Sequence, residues 1–359
     1  MKTAVVHDWL TGMRGGELVL EEILSLVPDP TIFTLFHFPG TVSPRIESVP
    51  IVPSFLNRLP LSRMNYRQLL PLFPSAVESL DLRGFDLVVS SSHCVAKGAI
   101  PRGAPHLCYC HTPVRYAYDQ FDAYFPRDRT RLYRLKKALV ARLREWDRRT
   151  AGRVDRYLAN STAVASRIGA AYGRPATVVF PPVDVDFFTP DGTPSGEEAL
   201  CVGALVPYKK FDAAIAWARE TGRRLRIVGS GPDEKRLREI APASVTFEKG
   251  ISREELRERY RRCAFFLQPG EEDFGIASAE AQACGRPVVA LGRGGVLDVV
   301  AAPRAGALFE RAETGEIERA IDSLSRVGFN PDAATDNARR FSKERFRADF
   351  AREIQTLKP

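Results

Sequence analysis

Short apolar runs at 199–203, 225–229, 245–247, 264–268 and 287–291 alternate with segments of helical pattern at 209–220, 233–240, 253–262, 276–284 and 294–300. A strand that reaches its neighbour through a helix runs parallel to it, and a parallel sheet needs cover on both faces. This half is therefore predicted to be a doubly wound α/β domain. Ser252 followed by Glu255 predicts a capping box at the start of the third of these helices.

The first half is less regular. An apolar run at 3–6 leads into a glycine-rich turn and a helix at 17–26, and 85–90 and 107–110 read as buried strands. The proline-rich stretch 39–74 predicts long loops and short helices. A cluster of Pro, Gly, Ser and Asp at 189–196 is the best linker, which places a domain boundary near 190. The 359 residues, 44% of them hydrophobic, suffice for two cores. The N-terminal apolar stretch stops at His7 and Asp8, so it reads as a first strand and not as a signal peptide. No run reaches the roughly 18 apolar residues of a membrane span. The six scattered cysteines form no CxxC and read as reduced, buried thiols.

The segment 268–290 carries the sharpest chemistry. A strand ends at Gln268, a polar loop follows, and a helix begins near Ile276. Glu272 lies in the loop and Glu280 about a turn into the helix. The backbone N–H groups of Phe274, Gly275 and Ile276 are expected at the helix start, which favours anionic or oxygen-rich ligands. Two carboxylates so spaced suit sugar hydroxyls, which need acceptors when buried. The simpler alternative is an acidic, solvated helix start.

This segment, with its E-x7-E spacing and the AxACGxPVVA continuation, resembles the retaining glycosyltransferases of the GT-B type in family 4. Further elements in family order are the 12–17 loop, Cys110-His111-Thr112-Pro113, Val206-Pro207-Tyr208-Lys209-Lys210, Ile227-Val228-Gly229-Ser230-Gly231-Pro232 and Gly294-Gly295. The resemblance implies an α/β fold of two Rossmann-like domains, with parallel sheets facing across a cleft. Residues 1–190 would form the acceptor-side domain and 191–340 the nucleotide-sugar-binding domain. A C-terminal helix at 342–357, within 341–359, would cross back to the first domain. The resemblance gives Glu272 contacts to the donor sugar hydroxyls, Glu280 the ribose, and Lys209 the diphosphate. Gly15 and Gly16 would let the first loop approach that diphosphate. His111 would stand near the sugar and the departing bond, while Gly229 and Gly231 would border the nucleotide pocket. One position departs from the pattern: Ala204 stands where the family usually has Arg. Lys210 is a candidate to replace the missing cation.

The 12–17 turn is not GxGxxG, yet a strand, glycine turn and helix make an anion site to which Arg14 can add charge. His7 ends the first strand; His37, His93 and His106 carry no motif. Asp184-Val185-Asp186 looks like a metal-binding DxD, but it lies in the interdomain segment and not at a strand end. No metal ligand set is assigned, no cofactor is expected beyond the donor substrate, and the diphosphate charge falls to cations and helix dipoles.

The formal charge is +8, and residues 1–190 hold 24 Lys and Arg against 17 Asp and Glu. Ten of those cations lie in 127–149, where Leu132, Leu135, Leu139, Leu143 and Trp146 recur at steps of three and four. That is an amphipathic helix packed on the first sheet, with a basic face either solvated or drawn to anionic lipid. The segment lacks the interleaved aromatics of a base-stacking surface, so no nucleic acid is expected as partner. The expected protein is cytoplasmic, with peripheral contact to the inner face of an anionic membrane. It would transfer a sugar, with retention, from a nucleotide-sugar donor to a glycan or lipid-linked acceptor hydroxyl. His7-Asp8-Trp9-Leu10 and 110–116 resemble a subgroup of bacterial surface-polysaccharide mannosyltransferases, which favours GDP-mannose. A UDP-sugar donor and a non-catalytic sugar-nucleotide binder remain the alternatives.

Overall fold

The structure is a computed structural model that describes residues 1–125, 131–300 and 304–357, less the side chains of Leu61, Met64, Ala123, Arg131 and Leu132. The chain forms two compact units, Met1–Pro182 with Phe346–Pro359, and Val183–Arg345.

In unit 1 the strands are β1 (Thr3–His7), β2 (Pro30–Thr34), β3 (Ile51–Pro53), β4 (Leu87–Ser92), β5 (His106–Cys110), β6 (Arg156–Ala159) and β7 (Ala176–Val178). They form one sheet in the order β3-β2-β1-β4-β5-β6-β7, every pair parallel. In unit 2 the strands are β8 (Ala199–Val202), β9 (Leu225–Val228), β10 (Val245–Glu248), β11 (Phe265–Gln268), β12 (Val288–Leu291) and β13 (Gly306–Phe309), in the order β10-β9-β8-β11-β12-β13, again parallel. Both orders reverse direction next to their first strand, and open α/β sheets bind ligands at the strand carboxyl ends beside that switch point.

Alternation along each strand sorts the cores. In unit 1, Val5, Val89, Leu107 and Tyr109 face the helix Gly15–Leu26 through Val19, Leu20 and Ile23, and the helix Lys343–Gln355 through Phe346, Phe350 and Ile354. Ala4, Val6 and Val88 point the other way, into a core with Val140, Leu143 and Trp146. Each fully buried Phe contributes about 1.5–3 kcal/mol over an exposed one, so Phe346 and Phe350 tie their helix firmly to unit 1. In unit 2, Ser252 accepts from the Glu255 N–H at 3.1 Å and Glu255 accepts from the Ser252 N–H at 2.7 Å, the reciprocal cap expected there.

Three readings shift. The unit boundary falls at 182/183, ahead of the Pro- and Gly-rich segment, because 183–188 is already held by unit 2: Val183 N donates to Phe341 O, and Phe188 packs edge-on to Tyr260. The strands β2, β3, β6, β7 and β13 were not among those read from the sequence. The basic helix spans Arg131–Thr150, but its core-facing side is Val140, Leu143, Trp146, Asp147 and Thr150, while Leu135 is exposed. Among the described residues, full burial on this helix is confined to its C-terminal half; residues 127–130 and the Leu132 side chain lie outside the described residues. That half is anchored by Lys97, whose Nζ stands 2.9 Å from Asp147 Oδ1 and donates to the Asp147 carbonyl and to Thr150 Oγ1. Tyr118 donates to the other Asp147 oxygen at 2.8 Å.

Candidate active site

In unit 2 the loops that leave β8, β9, β11 and β12 pack on one another. Glycine makes this possible. At Gly229 (φ 154°) a Cβ would overlap the carbonyl oxygen of Gly203, and at Gly231 that of Leu205. A Cβ at Gly270 would strike the backbone of Lys209, and one at Gly294 (φ 76°) would strike Glu272 O. Gly229 and Gly231 thus serve first to bring the 203–210 loop down onto the end of β9. The same packing sets Lys209 beside Glu272, with Nζ 2.7 Å from Oε1 and both side chains partly exposed. Glu272 is held at the end of β12 as well, since its carbonyl accepts from Gly295 N at 2.9 Å.

Gly275, in the left-handed region at φ 102°, turns the chain into the helix Ile276–Ala283. The first N–H groups of any helix lack intrahelical acceptors, so Ile276 opens a polar end here. Phe274 instead buries its ring, 5.1 Å from that of Phe341. Glu280 projects from this helix and accepts a 2.8 Å hydrogen bond from Tyr260. Protein crowding pushes its carboxyl up to about 7, against the opposing pull of the Tyr260 hydroxyl and of Arg253. Lys210 is exposed in a left-handed turn (φ 56°) and forms no ion pair among the described residues; Ala204 is exposed as well. Asp184 is engaged by Arg253 (2.9 Å) and Lys343 (2.6 Å). Burial alone would raise its carboxyl, but these two cations hold it below the usual range.

In unit 1 the carboxyl ends of β1, β4 and β5 gather a polar cluster. Register sets His7 beside Ser91, and Ser91 beside Tyr109. Period-two alternation then puts His111 on the same face as Tyr109. Ser91 Oγ lies 3.1 Å from His7 Nδ1 and 2.9 Å from His111 Nε2. Glu17, in the first turn of the helix Gly15–Leu26, stands 3.6 Å from His7 Nε2. Gly16 lies directly over the pair: a Cβ there would sit 3.7 Å from His7 and 3.9 Å from His111. Burial depresses the His111 ring well below the ordinary imidazole range, and His93 and His7 add to this. Burial raises Glu17, but its contacts with His7 and His93 and its backbone hydrogen bond together outweigh that and leave it lowered.

His93 carries no sequence motif, yet its ring is 6.1 Å from His7 and 6.2 Å from His111. Beneath it, Asp8 accepts four backbone N–H bonds, from His93, Cys94, Val95 and Ala96, at 2.7–2.8 Å. Ser91, Glu17 and Tyr260 were missed too, because only strand register and helix docking give them partners. His106 is a satisfied core histidine between Ser90 Oγ and Arg153 O, pushed down to about 4 by burial. His37 pairs with Glu47.

Family models match in both units: "Glycosyltransferase Family 4" over residues 29–187 and "Glycosyl transferases group 1" over 191–341. Among curated proteins, the chain is 33% identical over 225 residues to D-inositol 3-phosphate glycosyltransferase 2 of Catenulispora acidiphila, covering 52% of each. It is 31% identical over 190 residues to the GDP-mannose-dependent alpha-(1-6)-phosphatidylinositol monomannoside mannosyltransferase of Mycolicibacterium smegmatis, covering 44% of this chain and 50% of that one. The chain thus spans about half the length of the curated relatives it matches. Among solved structures, HepE of Anabaena in complex with UDP and glucose superposes with a TM-score of 0.71 at 16% identity, over 99% of this chain and all of that one. Sucrose-phosphate synthase of Thermosynechococcus elongatus gives 0.70 at 17%, over 99% and 98%. These structures share the fold, two Rossmann-like domains of the GT-B type. With the two family models together spanning most of its length, the chain belongs to the group 1, family 4 glycosyltransferases.

Proposed function

We propose that the protein transfers mannose from GDP-mannose, with retention, to a hydroxyl of a glycan or lipid-linked acceptor. The observation that carries the donor site is the Lys209–Glu272 pair at the switch point of the unit 2 sheet, with Glu280 on the helix that follows the same loop. The donor diphosphate draws Lys209 from Glu272, and Glu272 then accepts from the sugar hydroxyls. Glu280, oriented by Tyr260, takes the ribose. In unit 1, His111 is assigned to the sugar and the Gly15-Gly16 turn to close approach of the diphosphate. The diphosphate is neutralised by Lys209, Lys210 and the start of the helix Ile276–Ala283 without a metal ion. The exposed cations of the helix Arg131–Thr150 favour an anionic membrane surface, where a lipid-linked acceptor would lie.

Release of free nucleotide from a panel of sugar nucleotides, with and without a chelator, tests this reading. GDP-mannose should be turned over fastest and the chelator should leave the rate unchanged. Preference for a UDP-sugar would replace the donor, and release from none would sink the enzymatic reading. Lys210→Ala should weaken donor binding; an unchanged Kd would remove Lys210 from the site.

Glu280 adds a pH dependence. Its acid form is favoured up to about 7, and a protonated carboxyl accepts fewer hydroxyl bonds than a carboxylate. Binding of the intact donor, whose phosphates do not titrate there, should tighten severalfold as the pH rises through that value. Glu280→Gln should flatten the profile. Calorimetry that finds the wild-type Kd independent of pH would contradict the ribose role.

A further inference from the structure

We infer that Glu17, His7 and Ser91 form a hydrogen-bond chain that fixes the tautomer of His111, so that His111 presents its Nδ1 lone pair to a substrate hydroxyl. The inference rests on the placement of His111 at the substrate proposed above and adds what His111 can recognise.

The chain takes its direction from one charge. Nε2 of His7 is buried and has no hydrogen-bond partner among the described residues; the Glu17 carboxylate stands 3.6 Å from it. A ring lone pair facing a carboxylate is repulsive and an N–H is attractive, so His7 carries its proton on Nε2. In the neutral ring Nδ1 is then an acceptor. Ser91 has one proton, and it goes to that nitrogen across 3.1 Å. The Ser91 oxygen is left with lone pairs only, so it accepts from His111, which must carry its proton on Nε2 at 2.9 Å. His111 Nδ1 is left unprotonated, and no described residue hydrogen-bonds to it.

The remaining charges agree with this direction. His93 lies 6.2 Å from His111, and its Nδ1 is committed to Asp8 at 3.2 Å. Burial disfavours a positive charge on His93, as do His7 and Arg14, against the opposing pull of Asp8 and Glu17. Among the described residues Glu17 is the one carboxylate paired with His7, and despite its burial its contacts with the neighbouring histidines favour its ionised form. Ser91 is fully buried on β4, so solvent does not compete for its hydroxyl. An unprotonated Nδ1 accepts from a hydroxyl and repels a phosphate oxygen or a carbonyl. The group facing His111 is therefore a sugar or acceptor hydroxyl, not the diphosphate. Glu17, His7 and Ser91 touch no substrate in this scheme; they are positioning residues.

The test is nitrogen-15 spectroscopy of ring-labelled histidine in the whole protein, with His111 assigned by its loss in His111→Gln. The expected wild-type signal is neutral His111 with a pyrrole-type Nε2 and a pyridine-type Nδ1. Ser91→Ala removes the acceptor and Glu17→Leu removes the charge that sets the direction; each should convert His111 to a mixture of tautomers. Each should also lower turnover about tenfold, the worth of one aligned hydrogen bond, with donor KM little changed. A wild-type Nδ1 that carries the proton, or a tautomer unmoved by both variants, overturns the inference. Full activity in His111→Gln with the expected tautomer in the wild type would instead refute the placement of His111 at the substrate, so the two failures are distinguishable.

Discussion

Lys97→Ala is expected to destabilise unit 1 by about 3–5 kcal/mol, the usual cost of removing one partner from a buried ion pair. Lys97 and Asp147 are at most 1% exposed. Their contact joins the turn after β4 to the C-terminal half of the basic helix. Alanine would leave the Asp147 carboxylate buried with the Tyr118 hydroxyl alone. It would also strip donors from the Asp147 carbonyl and from Thr150. Replacing both charges with apolar groups, as in Lys97→Met with Asp147→Leu, should recover most of the loss. Urea unfolding of both variants against the wild type measures this. A loss below about 1 kcal/mol for Lys97→Ala would mean that the pair behaves like a solvent-screened surface bridge.

Glu272→Ala is expected to lower the rate of sugar transfer at least about 100-fold, the scale seen when one preorganised electrostatic group is removed from a reacting centre. Two changes combine. The acceptor for the donor sugar hydroxyls is gone, and Lys209 loses the partner that holds it 2.7 Å away at the end of β11. Glu272→Gln separates the two, because the amide keeps an acceptor but not the charge. Lys209→Met should raise the donor Kd more than it lowers turnover, since it acts on the diphosphate in both bound and reacting states. Single-turnover rates with saturating donor decide the matter. A Glu272→Ala rate within threefold of wild type would take Glu272 out of the site.

Legibility differed between the two units for physical reasons. In unit 2 the strands and helices follow each other closely enough for period and caps to be read, and Ser252 with Glu255 marks a helix start unaided. Two of the missed strands of unit 1, Ile51–Pro53 and Ala176–Val178, have three residues each, fewer than alternation needs to show itself. Glu272, Glu280 and Lys209 were legible because they share continuous motifs. The polar cluster of unit 1 was not. Ser91 is one serine among three in a row, and Glu17 one acid in a helix start. Their meaning comes from parallel register and from the helix that lays Glu17 over His7. The glycines at 229, 231 and 270 were visible, but what they avoid is the backbone of loops distant in sequence.

The helix Lys343–Gln355 makes unit 1 discontinuous along the chain. Phe346, Phe350 and Ile354 complete a core whose other members lie between Val5 and Val179. During synthesis the first unit therefore cannot close its hydrophobic interior when its own strands have emerged. It must wait, with an apolar face uncovered, until all of unit 2 has been translated. The order of maturation is thereby inverted relative to the order of synthesis: the second unit can finish folding first, and the first becomes a sealed body only when the returning helix docks.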